Sequence, residues 1–251
     1  MSNFIQKLKN SNLFHINIIF SIIFILSFIT FLIIIRYNVE GETNLPFILS
    51  KISIISSSQG VNKDSTDTRW AFDVSQNNDI FIEFTKNNKY KKENYINSIS
   101  IDNITTKSIK NENVKLFKPD SDSTQLIFTN NQNNICTSLN YISKEKNNLN
   151  TMTISPEGGT IAFRCSNTNV AEYKSNDEVI NHNELLQKCN IKSSDLNINL
   201  NFDLTLNLQN KNSYRSNITL DLPIGDVINN GTTSIELTDL NKFIFKKVNI
   251  K

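Results

Sequence analysis

Two histidines and three cysteines set narrow bounds on the chemistry available to this chain. His15 lies at the edge of a long apolar run, so His182 is the one imidazole of everything downstream. A single imidazole cannot build a multi-His metal site, and it leaves one candidate base that works near neutral pH. Cys136, Cys165 and Cys189 have no C-x-x-C spacing, which argues against a zinc knuckle. A cysteine nucleophile needs a positioned base or cation to form its thiolate. Cys189 and His182 share one expected helical segment, and Cys165 ends "GTIAFRC" beside Arg164; neither arrangement supplies that partner. In an exported chain the three read as one disulfide plus a buried thiol, with Cys136–Cys165 as first choice, or as three small buried hydrophobes.

An N-terminal anchor followed by an all-β domain is also the layout of sortase transpeptidases. Their cysteine ends a Thr-Leu-x-Thr-Cys-like strand, with a histidine well upstream and an arginine on a following strand. Here His182 comes after Cys165, so motif and order both fail.

Acids are numerous but dispersed. "PDSDS" sets Asp120 and Asp122 in a turn with Ser121 and Ser123, too few carboxylates and no glycine for a calcium loop. Glu83 and Asp73 oppose Ile82 and Phe72 on their strands and read as exterior, so no facing pair about 5–10 Å apart is legible for glycoside hydrolysis. No Gly-rich loop precedes a helix, and "SPEGG" (155–159) reads as a hairpin turn. No cofactor is expected. The one local candidate for a binding surface is "TKNNKYKKENY" (85–95), where Lys86, Lys89, Lys91 and Lys92 alternate with Tyr90 and Tyr95. Basic residues interleaved with aromatics suit nucleic acid, an anionic wall polymer or a sugar, and loops carry function on rigid sandwiches. A solvated hairpin loop has the same composition. Across the chain a net charge of +2 gives no long-range pull on nucleic acid or anionic headgroups, so no nucleic-acid partner is expected.

These residues need elements to hold them. "INIIFSIIFILSFITFLIII" (16–35) is uncharged and about the ~20 residues that cross a bilayer as a helix. It is too long for a signal-peptide core and lacks an A-x-A ending, so an uncleaved signal anchor over 16–36 is expected, with the lipid bilayer as partner. Lys7 and Lys9 precede it and Arg36 follows, placing residues 1–15 in the cytoplasm and the remainder outside the cell membrane. A linker (37–46) then leads to an extracytoplasmic domain over 47–251, with a sub-boundary near 193–195 if the C-terminal hairpin forms its own lobe.

Beyond the linker the hydrophobic period becomes two. Strands are expected over 47–56, 69–76, 79–86, 96–104, 113–117, 124–130, 139–143, 149–155, 159–165, 169–174, 196–208, 214–222, 233–237 and 242–248. Many short alternating strands predict an all-β, antiparallel, jelly-roll-like sandwich. One segment differs: Ser175 and Glu178 have capping-box spacing before Val179, Ile180, Leu185 and Leu186, predicting a short helix over one open end. "LNINLNFDLTLNL" (196–208) alternates without a miss and pairs with "YRSNITLDL" through "QNKNS". Its Asn row reads as solvent face, because Asn is this chain's default polar residue, and its length predicts a bend or bulge near Phe202–Asp203. The resulting expectation is a non-catalytic, membrane-anchored envelope protein that binds a wall polymer or another membrane protein. A carbohydrate-binding module and an anchored wall-acting enzyme are the alternatives. Exposed aromatics among Trp70, Tyr90, Tyr95, Tyr141 and Tyr173 would favour the module.

Overall fold

The computed structural model describes residues 12–40, 45–63, 68–120, 127–145, 150–237 and 239–248. The chain forms two compact units, Met1–Glu42 and Thr43–Lys251. In the first, helix α1 runs unbroken over Asn12–Glu40, and its described side chains, 18–34, are exposed. Thr30 Oγ1 donates to Leu26 O at 2.8 Å, so this hydroxyl bonds back to the helix itself. Among the described residues no helix is long and apolar enough to cross a membrane. Lys7 and Lys9 lie outside the described residues.

The second unit is mostly β, in two sheets. Its strands are β1 (Phe47–Asn62), β2 (Trp70–Lys86), β3 (Ile96–Ser108), β4 (Val114–Phe117), β5 (Leu139–Ser143) and β6 (Thr153–Ile154). They continue with β7 (Gly159–Ser175), β8 (Ile198–Leu208), β9 (Ser213–Leu222), β10 (Thr232–Leu237) and β11 (Lys246–Val248). Sheet A has the order β10-β1-β2-β7-β4 and sheet B the order β11-β9-β8-β3-β5-β6. All pairings are antiparallel except β5–β6. Alternating hydrocarbon explains the layering. Ile52, Ile54, Ile80, Ile82 and Phe84 of sheet A meet Ile99, Ile101, Leu200, Phe202 and Leu204 of sheet B in one buried core. Phe163 and Phe202 touch edge-to-face across the layers at 5.5 Å, and Tyr141 Oη donates to Ala162 O at 2.8 Å.

Sheet A is longer than sheet B. β2 and β7 have 17 residues each, whereas β3, the longest strand of sheet B, has 13, so at ~3.3 Å per residue sheet A overruns by roughly 13 Å. Short helices roof the overhang: α2 (Leu185–Lys188), α3 (Ser193–Leu196) and α4 (Val227–Asn230). Phe72, Val74, Leu185, Leu186, Leu196 and Val227 form a second buried cluster there. The helical cover expected near 175–189 is present, but it begins later than its capping box. Ser175 Oγ accepts from Asp177 N instead, and the working cap is Asn181, whose side chain accepts from Asn183 N. Gly231 follows α4 with φ +68, packed so closely against Asn183 that a Cβ would strike its backbone.

Two expected breaks are absent. Residues 69–76 and 79–86 form the single strand β2, and 159–165 and 169–174 the single strand β7. The irregularity between Val74 and Gln76 is absorbed on β7, where Asn169 takes φ 52. Of the expected strand over 124–130, residues 124–126 lie outside the described residues and 127–130 form no strand.

The β8–β9 hairpin forms as expected, with Ile198, Leu200, Phe202 and Leu204 opposite Leu222, Leu220, Ile218 and Ser216. The expected irregularity lies at the level of Phe202, carried by the partner strand. β8 pairs evenly with β9, and the bulge lies on β3 between Asp102 and Thr105, beside Asn103 at φ 51. The polar row of β8 is half-exposed rather than bare, apart from Thr205, which is buried. Asn199 donates to Asp221 at 2.7 Å, Asn201 to Asn217 and Thr219 at 2.8 Å, and Asn207 to Ser98 at 3.0 Å. It is the outer face of sheet B, laced by cross-strand amide bonds.

Candidate functional site

The lysine-tyrosine segment is the loop from β2 in sheet A to β3 in sheet B. Asn87 sets its start, donating from its amide N to Pro46 O at 2.8 Å and from Nδ2 to Leu45 O at 2.7 Å, while its Oδ1 accepts from Lys89 N. At the far end Tyr95 O accepts from Gln209 N of the β8–β9 turn, and Ile96 N donates to Pro156 O. Lys86 Nζ lies 5.3 Å from the Tyr95 ring centroid, and Tyr95 Oη donates to Glu93. That bond to Glu93 holds the Tyr95 phenol above its ordinary value. Lys86, Lys89, Lys91 and Lys92 are exposed, and Tyr90 and Tyr95 half-buried. The structure therefore brings all six residues together on one rim.

The remaining aromatics do not join them. Tyr141 is fully buried, while Trp70 stacks on Phe72 at 5.8 Å and donates through Nε1 to Asp177 O beside the second cluster. Tyr173 packs against that same cluster.

A second polar centre escaped sequence reasoning. Arg164 is buried on the outer face of sheet A, donating to Asp79 through Nε (2.5 Å) and Nη2 (2.9 Å). Its Nη1 donates to Phe128 O and Asn130 Oδ1, and its guanidinium stacks 5.2 Å from the Phe128 centroid. A bidentate pair with every face covered is a fastener for the 127–130 segment, not an open site. Asp120 works similarly. Its carboxylate accepts from Thr129 at 3.0 Å and from Asn134, so the expected solvated turn is tied down; Ser121, Asp122 and Ser123 lie outside the described residues.

No family model matches the chain, and no curated protein or solved structure does. The site therefore rests on its own geometry.

His182 sits against β1 and β2. Its Nδ1 accepts from Gly60 N at 3.3 Å, and its ring lies edge-on to Phe72 at 5.2 Å. Cys189 turns toward Glu172 O at 3.9 Å. Among the described residues no three His, Cys, Asp or Glu side chains gather where they could hold a metal ion. Nor does the structure bring Cys136 and Cys165 together. All three cysteines are free, and Leu116 pairs with Cys165 on one side while its carbonyl accepts from Cys136 N on the other. Two strand spacings of ~4.8 Å exceed the roughly 7 Å limit for a disulfide. Burial pushes the Cys136 thiol up to about 11 and the Cys165 thiol to about 12. In a native maleimide time course read by intact mass, Cys189 is expected to label first, Cys136 slowly and Cys165 only after unfolding. Rapid labelling of Cys165 would contradict its placement.

Asp203 gives the outer face a pH dependence. Partial burial pushes its carboxyl up, but Asn217 (3.0 Å), Asn103 (2.8 Å) and Arg215 (3.6 Å) outweigh that and hold it below its ordinary value. A carboxyl depressed in the folded state stabilises above its unfolded pKa, and that contribution disappears as pH falls through the folded value. Asp203→Asn is therefore expected to flatten the stability profile below about pH 4, at a cost under about 1 kcal/mol at neutral pH. Urea melts from pH 2.5 to 7 check this; parallel profiles for both proteins would refute it.

Proposed function

We propose that the chain is a single-pass membrane protein whose N-terminal helix anchors a non-catalytic β-sandwich outside the cell, where the sandwich presents a binding surface within the envelope. What supports this reading is the uncharged 16–35 run, which lies within α1 and whose described side chains, 18–34, are exposed and, apart from Ser21, Ser27 and Thr30, hydrocarbon. A helix apolar on all sides is stable in lipid and not in water. The flanking charges support a cytoplasmic N-terminus. The rim of Lys86, Lys89, Tyr90, Lys91, Lys92 and Tyr95 is the surface offered to an anionic envelope component or another membrane protein.

The test is fractionation of cells that express the full chain. The protein is expected to stay in the pellet through alkaline carbonate washing, and protease added to intact cells or spheroplasts should degrade the sandwich. Release by carbonate would remove the anchor; complete protection would reverse the topology.

A further inference from the structure

The lysine loop is part of a larger basic end of the sandwich. Registers place the ends of several strands together there. Phe47 pairs with Lys86, Ile96 with Leu208 and Val248 with Ser213, while Tyr95 O accepts from Gln209 N. Lys211 of the β8–β9 turn and Lys247 of β11 therefore share this pole with Lys86, Lys89, Lys91 and Lys92, and all six are exposed. Against them stand Glu93, engaged by Tyr95, and Glu157; Lys144 and Glu145 beyond β5 offset one another.

Pairing differs as well. Lys51, Lys63 and Lys188 elsewhere on the sandwich have carboxylates within 4 Å. None of the six pole lysines has one among the described residues. A shallow depression lined by Asn97, Ser98, Asn207, Gln209, Lys211 and Ser213 opens at the same pole, walled by amides and hydroxyls that suit phosphate oxygens. Finally, this is the pole at which the chain enters the sandwich, since Leu45 and Pro46 are bonded to Asn87. A net charge of +2 conceals this asymmetry.

We infer that the Lys86–Lys92 pole docks on the headgroups of an anionic phospholipid bilayer. The inference rests on the anchored reading, because tethering makes the bilayer the nearest extended anion. Juxtamembrane lysines gain from an anionic surface within about a Debye length, so the docking is salt-sensitive.

The experiment is hydrogen–deuterium exchange on the full chain in nanodiscs of phosphatidylcholine alone or with 30% phosphatidylglycerol. A third arm adds soluble poly(glycerol phosphate) to the phosphatidylcholine discs. Amides of residues 88–93 and 209–212 are expected to exchange roughly threefold or more slowly in the anionic discs. That protection should vanish at 0.5 M NaCl and in the triple variant Lys89→Gln, Lys91→Gln, Lys92→Gln, while residues 176–192 exchange alike throughout. Equal exchange in both discs overturns the docking and leaves the anchor standing. Protection by the soluble polymer but not by anionic discs overturns it in favour of a wall ligand. Failure of the chain to enter either disc removes the anchor and the docking together.

Discussion

Asp79→Ala is expected to lower the stability of the sandwich by about 3–5 kcal/mol, since it strands a buried charge. The Arg164 side chain is 9% exposed and that of Asp79 17%, so bulk water screens the pair poorly. With the carboxylate gone, the guanidinium keeps Phe128 O and Asn130 Oδ1, which are neutral acceptors. The 127–130 segment would then lift to let solvent reach the charge. Replacing both partners with leucine should cost less than the single change, because no orphan charge remains. Urea unfolding followed by Trp70 fluorescence gives both values. A single variant no less stable than the double would show that the pair is not the fastener its geometry describes.

Asn78→Leu should be nearly as severe, at about 3 kcal/mol or more, because one side chain satisfies several buried groups. Asn78 is fully buried, with Oδ1 accepting from Ser56 at 2.7 Å and Gln76 at 2.8 Å, and Nδ2 donating to Gln76 and to Cys165 O. This amide band lies at the seam where sheet B ends and the helical roof begins. There the roof's backbone groups need partners, and sheet A supplies them. Ser56 Oγ accepts from Ile224 N at 2.8 Å, Ser58 Oγ donates to His182 O at 2.6 Å and Asn167 Nδ2 to Asp195 O at 3.3 Å. Loss of Asn78 should therefore loosen the roof before the sheets. Amide exchange resolved by segment would show 182–196 and 224–231 losing protection first; uniform loss across both sheets would count against a seam.

That seam marks the limit of what the residues declare locally. The hairpin 196–222, the Phe72 and Ile80 faces and the entry at Phe47 follow from strict alternation, which a strand with one buried face imposes. The break at Asn77–Asn78 does not exist, because two adjacent amides look the same in a turn and in a polar band between hydrophobic clusters. Only the lengths of two sheets, set by partners far along the chain, distinguish the cases. Arg164 was hidden for a related reason. It occupies an outward position of β7, and what buries it is a loop more than thirty residues upstream. Ser175 and Glu178 had the spacing of a cap, but the roof's buried residues, Leu185 and Leu186, lie farther along the chain and follow the cap at Asn181 instead. The Lys86–Tyr95 cluster was visible as composition. Its company at the pole, Lys211 and Lys247, required the register of three distant strands.

The shared pole of Leu45 and Val248 has a practical corollary for handling the molecule. Any reporter fused after Val248 would crowd the lysines it was meant to observe, and a bulky C-terminal tag would mask them. Val179, 81% exposed in the loop leading to the roof, is the better insertion point. Because entry and exit lie at the same pole, a circular permutant that links 248 to 45 through a short spacer and opens at Val179 keeps every strand intact, with its new ends released at the opposite extremity.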